Sequence, residues 1–244
     1  MGAQAPFVIG IPIYDGVDPL DVAGPFELFN AMADVETPPG ARTRSRSVVL
    51  VSADKKLVAA RYGLHLQADH RFEDSPDFDL LWVPGGTPDA LERLMPDARF
   101  NGFLRRQARH AKYVTSVCEG ALLAAAAGLL DGYRVTTHWA FIPCLKLFPK
   151  VEVVDGFPRY VVDRNRVTGG GISSGLDEAL QVIALLSDDI VAQKVQLAVQ
   201  YNPRPPFIGG DPSTARPPII EPGTGTTCVF PGLVAAIGKI VRCA

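Results

Sequence analysis

The stretch Lys112–Leu130, KYVTSVCEGALLAAAAGLL, decides the fold. Its opening, Tyr113–Val117, is a short apolar and β-branched run of strand type. Its close, Ala121–Leu130, is made of Ala and Leu, strong helix formers, with Gly132 just past the end. Cys118, Glu119 and Gly120 lie between. A strand, a sharp turn and a helix are the layout of a nucleophile elbow, which lifts the turn side chain out of the sheet. The free N–H groups and positive dipole end of the following helix favour a thiolate at Cys118. Many free cysteines are only small buried hydrophobes; the elbow favours the functional reading.

The same alternation extends both ways. Strand-like runs occur at Phe7–Tyr14, Ser47–Ser52 and Asp79–Val83, the last stopped by Pro84-Gly85-Gly86. Helical patterns fall at Leu20–Met32, with Pro25 near the first turn, and at Asp89–Leu94 and Asp97–His110. Leu57–Leu66 has room for a hairpin. Further strands are expected at Val151–Val154, Tyr160–Asp163 and Arg166–Thr168, then one long helix from Ser173 to about Val199. Short apolar strands alternating with helices predict an α/β fold with a parallel sheet covered on both faces.

After Tyr201 the pattern stops: eight of the 21 prolines fall between Pro203 and Pro231. The division expected is an α/β domain over 1–205 and a proline-rich arm and apolar tail over 206–244. The last segment, Cys228–Ala244, is apolar but without clear period, open to packing on the body, to an interface or to disorder.

Composition excludes several classes. The 244 residues carry 24 Lys+Arg against 26 Asp+Glu, a net charge of −2. No basic excess speaks for nucleic acid. The apolar stretches Ala121–Leu130 and Cys228–Gly238 are too short to span a membrane. MGAQAPF has no leader pattern. The four cysteines show no CxxC spacing and no disulfide framework, so a soluble protein of a reducing compartment, the cytoplasm, is expected. Cys144 reads as an inert helix residue. His65 and His70 share no helix face, and no metal site is assigned.

A rival elbow lies at Gly171–Gly175, GISSG. It matches G-x-S-x-G, but the hydrolase order requires a later His, and the last is His138. Ser174 with Asp177 three residues on reads instead as a capping box. Gly169-Gly170-Gly171 meets no phosphate-loop pattern. Trp82 and Trp139 read as core or pocket wall, and His138 as a core hydrogen-bonding residue or an orienter.

Several segments together resemble the DJ-1/PfpI superfamily: VPGG at Val83–Gly86, VTSVCEGALLAAAAG at Val114–Gly128, TTHW at Thr136–Trp139 and TGGGISSGLDEAL at Thr168–Leu180. YDGVDPLDVAGPFELF at Tyr14–Phe29 and YNPRPPF at Tyr201–Phe207 resemble its isonitrile hydratase branch. The resemblance covers roughly residues 7–205. It implies a flavodoxin-like three-layer sandwich, a homodimer and no cofactor. It makes Cys118 the nucleophile and Asp21 its acidic partner. It puts the substrate against the Gly85-Gly86 and Glu119-Gly120 backbones, with developing charge held by the N–H of Gly86 and that of Glu119. His138 and Asp177 are placed behind them. From the residues alone, Asp21 reads better as a helix cap, and the resemblance reverses that preference.

One departure is Glu119. The resemblance predicts Thr here in isonitrile hydratases and His in the protease-like branch. Two roles are open: an acid stabilising the helix dipole, or a catalytic acid, which as an anion would raise the thiol pKa. The implied chemistry is addition of Cys118 to an isonitrile carbon, a thioimidate, and hydrolysis to an N-substituted formamide, with Asp21 as acid and then base. An amidase, glyoxalase or deglycase would use the same cysteine. A sensor half of a transcription regulator would need a DNA-binding partner domain that the short, irregular segment after Tyr201 does not supply.

Overall fold

The computed structural model describes residues 6–41, 45–54 and 57–243; the N-terminal MGAQA, read as lacking a leader, lies outside them. Strand β6 (Leu80–Val83) is buried along its whole length, so both faces of the sheet are covered there. It pairs in parallel with β1 (Phe7–Pro12) on one side, Ile9 opposite Leu80. On the other it pairs with β7 (Tyr113–Ser116), Ser116 opposite Val83. Beyond β1 lie β2 (Arg46–Ser52) and β5 (His70–Arg71), and beyond β7 lie β11 (Arg166–Gly169) and β10 (Tyr160–Asp163). The seven-stranded order is β10-β11-β7-β6-β1-β2-β5, antiparallel only at the β10–β11 hairpin.

Helices α1 (Pro19–Glu36), α6 (Ser174–Leu186) and α7 (Asp189–Ala198) pack together on one side. On the other are α2 (Pro88–Leu94), α3 (Ala98–Ala108) and α4 (Gly120–Ala126), with the short α5 (Ile142–Leu145) beside α4. Two ribbons complete the described chain: β3 (Leu57–Ala59) with β4 (His65–Gln67), and β8 (Arg134–Val135) with β9 (Glu152–Val153). The α/β class and the covered parallel sheet are as the alternation predicts. Strand order reverses between β1 and β6, and the carboxyl ends flanking such a reversal are where sheets of this kind bind ligands.

Three local expectations are corrected, and the tail, left open among three alternatives, packs on the body. Helix α1 starts at Pro19, so Pro25 lies inside it rather than in its first turn. Proline has no N–H to give the carbonyl four residues back, Asp21 O; the indole N–H of Trp82 donates to it instead, at 3.0 Å. The single helix expected over Ser173–Val199 is two, because Asp188 accepts from Val191 N–H at 2.8 Å and starts α7 anew. The apolar tail folds as α8 (Pro231–Cys243), burying Leu233 and Ile237 on the side of α2. Cys144 is no bystander: it forms a disulfide with Cys228, 84 residues on. Both halves of such a pair look like ordinary apolar cysteines, and only the fold brings them together.

Candidate active site

Cys118 follows β7 after the single residue Val117 and adopts φ +56°. A non-glycine residue there is strained and is held by its surroundings. Its N–H donates to Gly170 O at 2.9 Å, and its carbonyl accepts from Thr137 Oγ1 at 2.7 Å. Gly120 lets α4 close on β6: a Cβ there would collide with the carbonyl of Val83. Gly120 is thus a packing residue of the elbow.

Asp21 projects from α1 toward the same point. It is fully buried, and its Oδ2 accepts the Gly85 N–H at 2.9 Å. It is a third-position helix residue, and the residue at the N-cap is Asp18. Gly85 must lack a side chain, since its Cβ would lie 2.5 Å from Glu119 Oε2, 2.7 Å from Glu119 N and 2.9 Å from Asp21 Oδ2. Gly86 faces the other way, against the Tyr14 ring, and bridges Val17.

Cys118, Asp21, Glu119 and Asp18 each bring a donor atom within 4.8 Å of the others, all four residues buried. The set could embrace a cation; it also must keep protons, because like charges this close and dry cannot all ionise. Burial, then Glu119 and Asp18, hold the Asp21 carboxyl well above the usual range, against the opposing Gly85 N–H. Burial raises Glu119 to about 7, opposed by its hydrogen bond with the Cys118 thiol. Burial and the neighbouring Asp21 and Glu119 push the thiol up. The thiolate expected from the helix dipole is therefore outweighed by three carboxyl groups. Asp21 Oδ1 and Glu119 Oε2 have no hydrogen-bond partner among the described residues.

Sequence reasoning missed Asp18 and Arg61. Arg61, at the tip of the β3–β4 hairpin, reaches Asp18 Oδ1 at 3.3 Å. The spacing Asp18–Asp21, one turn apart, was the available signal for Asp18; nothing local marks Arg61. Glu178 was missed too. It is fully buried without a partner for either oxygen, and burial and Asp21 raise its pKa well above the ordinary value.

The outlying expectations divide. His138 Nδ1 accepts from Ala140 N–H at 3.2 Å, starting a short 3₁₀ turn. Burial lowers its pKa to about 4, so it is neutral at pH 7. Ser174 does not cap α6; its Oγ donates to Gly171 O at 2.7 Å. Asp177 is not part of a capping box: it binds Arg159 and accepts from Tyr201 OH at 2.8 Å, on the outer side of α6. Grooves of about 430 Å³ and 250 Å³ lie elsewhere on the molecule, and Cys118 lines neither.

A strained cysteine at the carboxyl end of a central parallel strand, faced by carboxyl groups from the first helix and the next residue, defines a flavodoxin-like cysteine protein. The chain belongs to the DJ-1/PfpI family, whose sequence profile matches residues 8–185. It is 40% identical over 213 residues to an isonitrile hydratase of Pseudomonas putida, covering 87% of this chain and 86% of that protein. A THiJ/PfpI family protein from Pseudomonas syringae superposes with a TM-score of 0.78 at 31% identity, covering 98% of this chain and 90% of that one. The transcriptional regulator GbdR of Pseudomonas aeruginosa is 32% identical over 134 residues, 54% of this chain but 35% of the regulator.

Proposed function

We propose that this protein hydrates isonitriles to N-substituted formamides. The observation that carries the reading is the thiol of Cys118 set among buried carboxyl groups that retain protons near neutrality. The 40% identity to the Pseudomonas putida isonitrile hydratase supports it.

An isonitrile, R–N≡C, has a carbon that needs both a nucleophile and a proton. Asp21, held protonated, delivers its proton to that carbon as Cys118 Sγ bonds to it. The thiol proton passes to Glu119 in its carboxylate form, populated near its pKa of about 7, which the thiol already meets by hydrogen bond. The product is the Cys118 thioimidate, R–N=CH–S–Cys118. Asp21, now a carboxylate, takes a proton from water as the hydroxide adds to the same carbon, and Glu119 gives its acquired proton to the nitrogen. Collapse expels the sulfur, which takes the proton of the new hydroxyl, and leaves R–NH–CHO with Asp21 protonated and Glu119 ionised as at the start. General acid–base help of this kind supplies about 10²–10⁴-fold. The reading assigns Glu119 a proton-holding role in place of the expected Thr. A homodimer in the cytoplasm completes it. In the described residues no helix is long and apolar enough to cross a membrane.

The test is NMR detection of formamide from alkyl and aryl isonitriles. Wild type should turn them over and Cys118→Ala should not. No turnover of any isonitrile by a folded wild-type protein overturns the proposal.

A further inference from the structure

Cys118 and its acids are buried, so part of the protein must move before a reactant meets Cys118. A wall beside it, joined to its backbone through Thr137, is the segment Thr136–Leu145. One side of this wall rests on the elbow: Thr137 Oγ1 holds Cys118 O at 2.7 Å, and the His138 ring lies against Gly171. The other side carries the C-terminal strap. Gly225 sits on the Trp139 ring, its Cβ position 3.3 Å from the ring carbons. Phe230 stacks on Phe141, ring centroids 4.6 Å apart and planes 4° from parallel. Cys228 is bonded to Cys144. Past Phe230, α8 docks on α2, the helix that begins just after Gly85-Gly86. The strap thus runs from the Thr136–Leu145 wall to α2, and the disulfide ties it covalently to that wall.

We propose that Cys144–Cys228 is a thiol–disulfide exchange site for a dithiol reductant, and that opening it releases the strap from the wall that Thr137 joins to Cys118. Cys228 is the half-buried partner and Cys144 the fully buried one, so an incoming thiolate attacks the Cys228 sulfur. The Cys144 sulfur leaves and is protonated. The reductant's second thiolate then attacks its own sulfur in the mixed disulfide, freeing and protonating Cys228. Two electrons pass from the dithiol, which becomes a disulfide, to the protein pair. In a compartment that supplies such a dithiol, where structural disulfides are rare and those present are mostly transient or redox-sensing, this pair is a sensor of reductant supply. The inference holds whatever substrate the site takes.

The experiment labels Cys118 with iodoacetamide and follows its peptide by mass spectrometry. It compares three samples: protein purified without reductant, the same protein reduced with dithiothreitol and desalted, and untreated Cys144→Ser/Cys228→Ser. Labelling is expected to be at least tenfold faster in the second and third, with Cys144 and Cys228 protected in the first. The double variant excludes the possibility that dithiothreitol acts by reducing an oxidised Cys118. If that variant does not fold by circular dichroism, reduced wild type refolded in its place and re-oxidised to the slow rate decides. Equal labelling rates, or free Cys144 and Cys228 thiols in the unreduced protein, overturn the proposal.

Discussion

Arg61 Nη1 stands 3.3 Å from Asp18 Oδ1 and 3.5 Å from Oδ2, a cation on a hairpin tip against a buried carboxylate at the start of α1. The backbone of Asp18 donates in turn to Gly85 O at 2.9 Å, and Gly85 N–H holds Asp21. Arg61 is thereby linked to the acid proposed to protonate the substrate. Its charge also lowers the pKa values of Asp21 and Glu119.

Replacing Arg61 should therefore shift the proton inventory of the site. Without the guanidinium, Glu119 and Asp21 hold their protons to higher pH and anionic states of the cluster cost more. Arg61→Met is expected to lower kcat by about tenfold, some 1.4 kcal/mol, and to move the basic limb of the pH–rate profile upward. Arg61→Lys should restore part of both. A lower kcat with an unmoved profile would assign Arg61 to hairpin structure alone.

Glu119 gives a pH dependence of stability with a definite sign. Its folded pKa of about 7 lies above the unfolded value of 4.5. The folded state then binds the extra proton, and the stability this contributes is fully present below pH 4.5 and lost as pH rises through about 7. The total is at most about 3 kcal/mol. Glu119→Gln should flatten thermal stability across that window, read as Tm at a series of pH values. A slope identical to wild type would mean that another acid carries it.

The substitution of a side-chain donor for the missing Pro25 N–H is open to a mutant cycle. Trp82→Phe should leave Asp21 O unpaired in the core and cost about 1–3 kcal/mol beyond the change in ring size. Adding Pro25→Ala supplies the backbone N–H and should recover part of the loss. Additive effects in urea unfolding would argue against the compensation.

Gly120→Ala tests the close approach of α4 to β6. The added methyl meets a backbone carbonyl, which cannot step aside as a flexible side chain can. A loss of about 1–3 kcal/mol is expected, read as a lower Tm, together with a slower Cys118 reaction because the elbow shifts. A neutral outcome would show that the elbow relaxes freely.

The sequence by itself determined most of the elements and the turn that holds Cys118. Tyr113–Leu130 announced a strand, a turn and a helix because apolar runs, small residues and glycine act locally, and the family motifs then carried Asp21 and Glu119 along. Local rules also placed α2, α3 and the hairpin strands close to where they lie. They failed where a partner comes from far along the chain. Asp18 and Arg61 are 43 residues apart, and Cys144 and Cys228 are 84 apart. Trp82 reaches Asp21 O across 61 residues. The ionisation of the site was illegible for the same reason. A cysteine before a helix promises a thiolate, but whether it becomes one depends on how many carboxyl groups share its dry space. Only the folding of the start of α1, with Asp18 and Asp21, beside the turn after β7 sets that number.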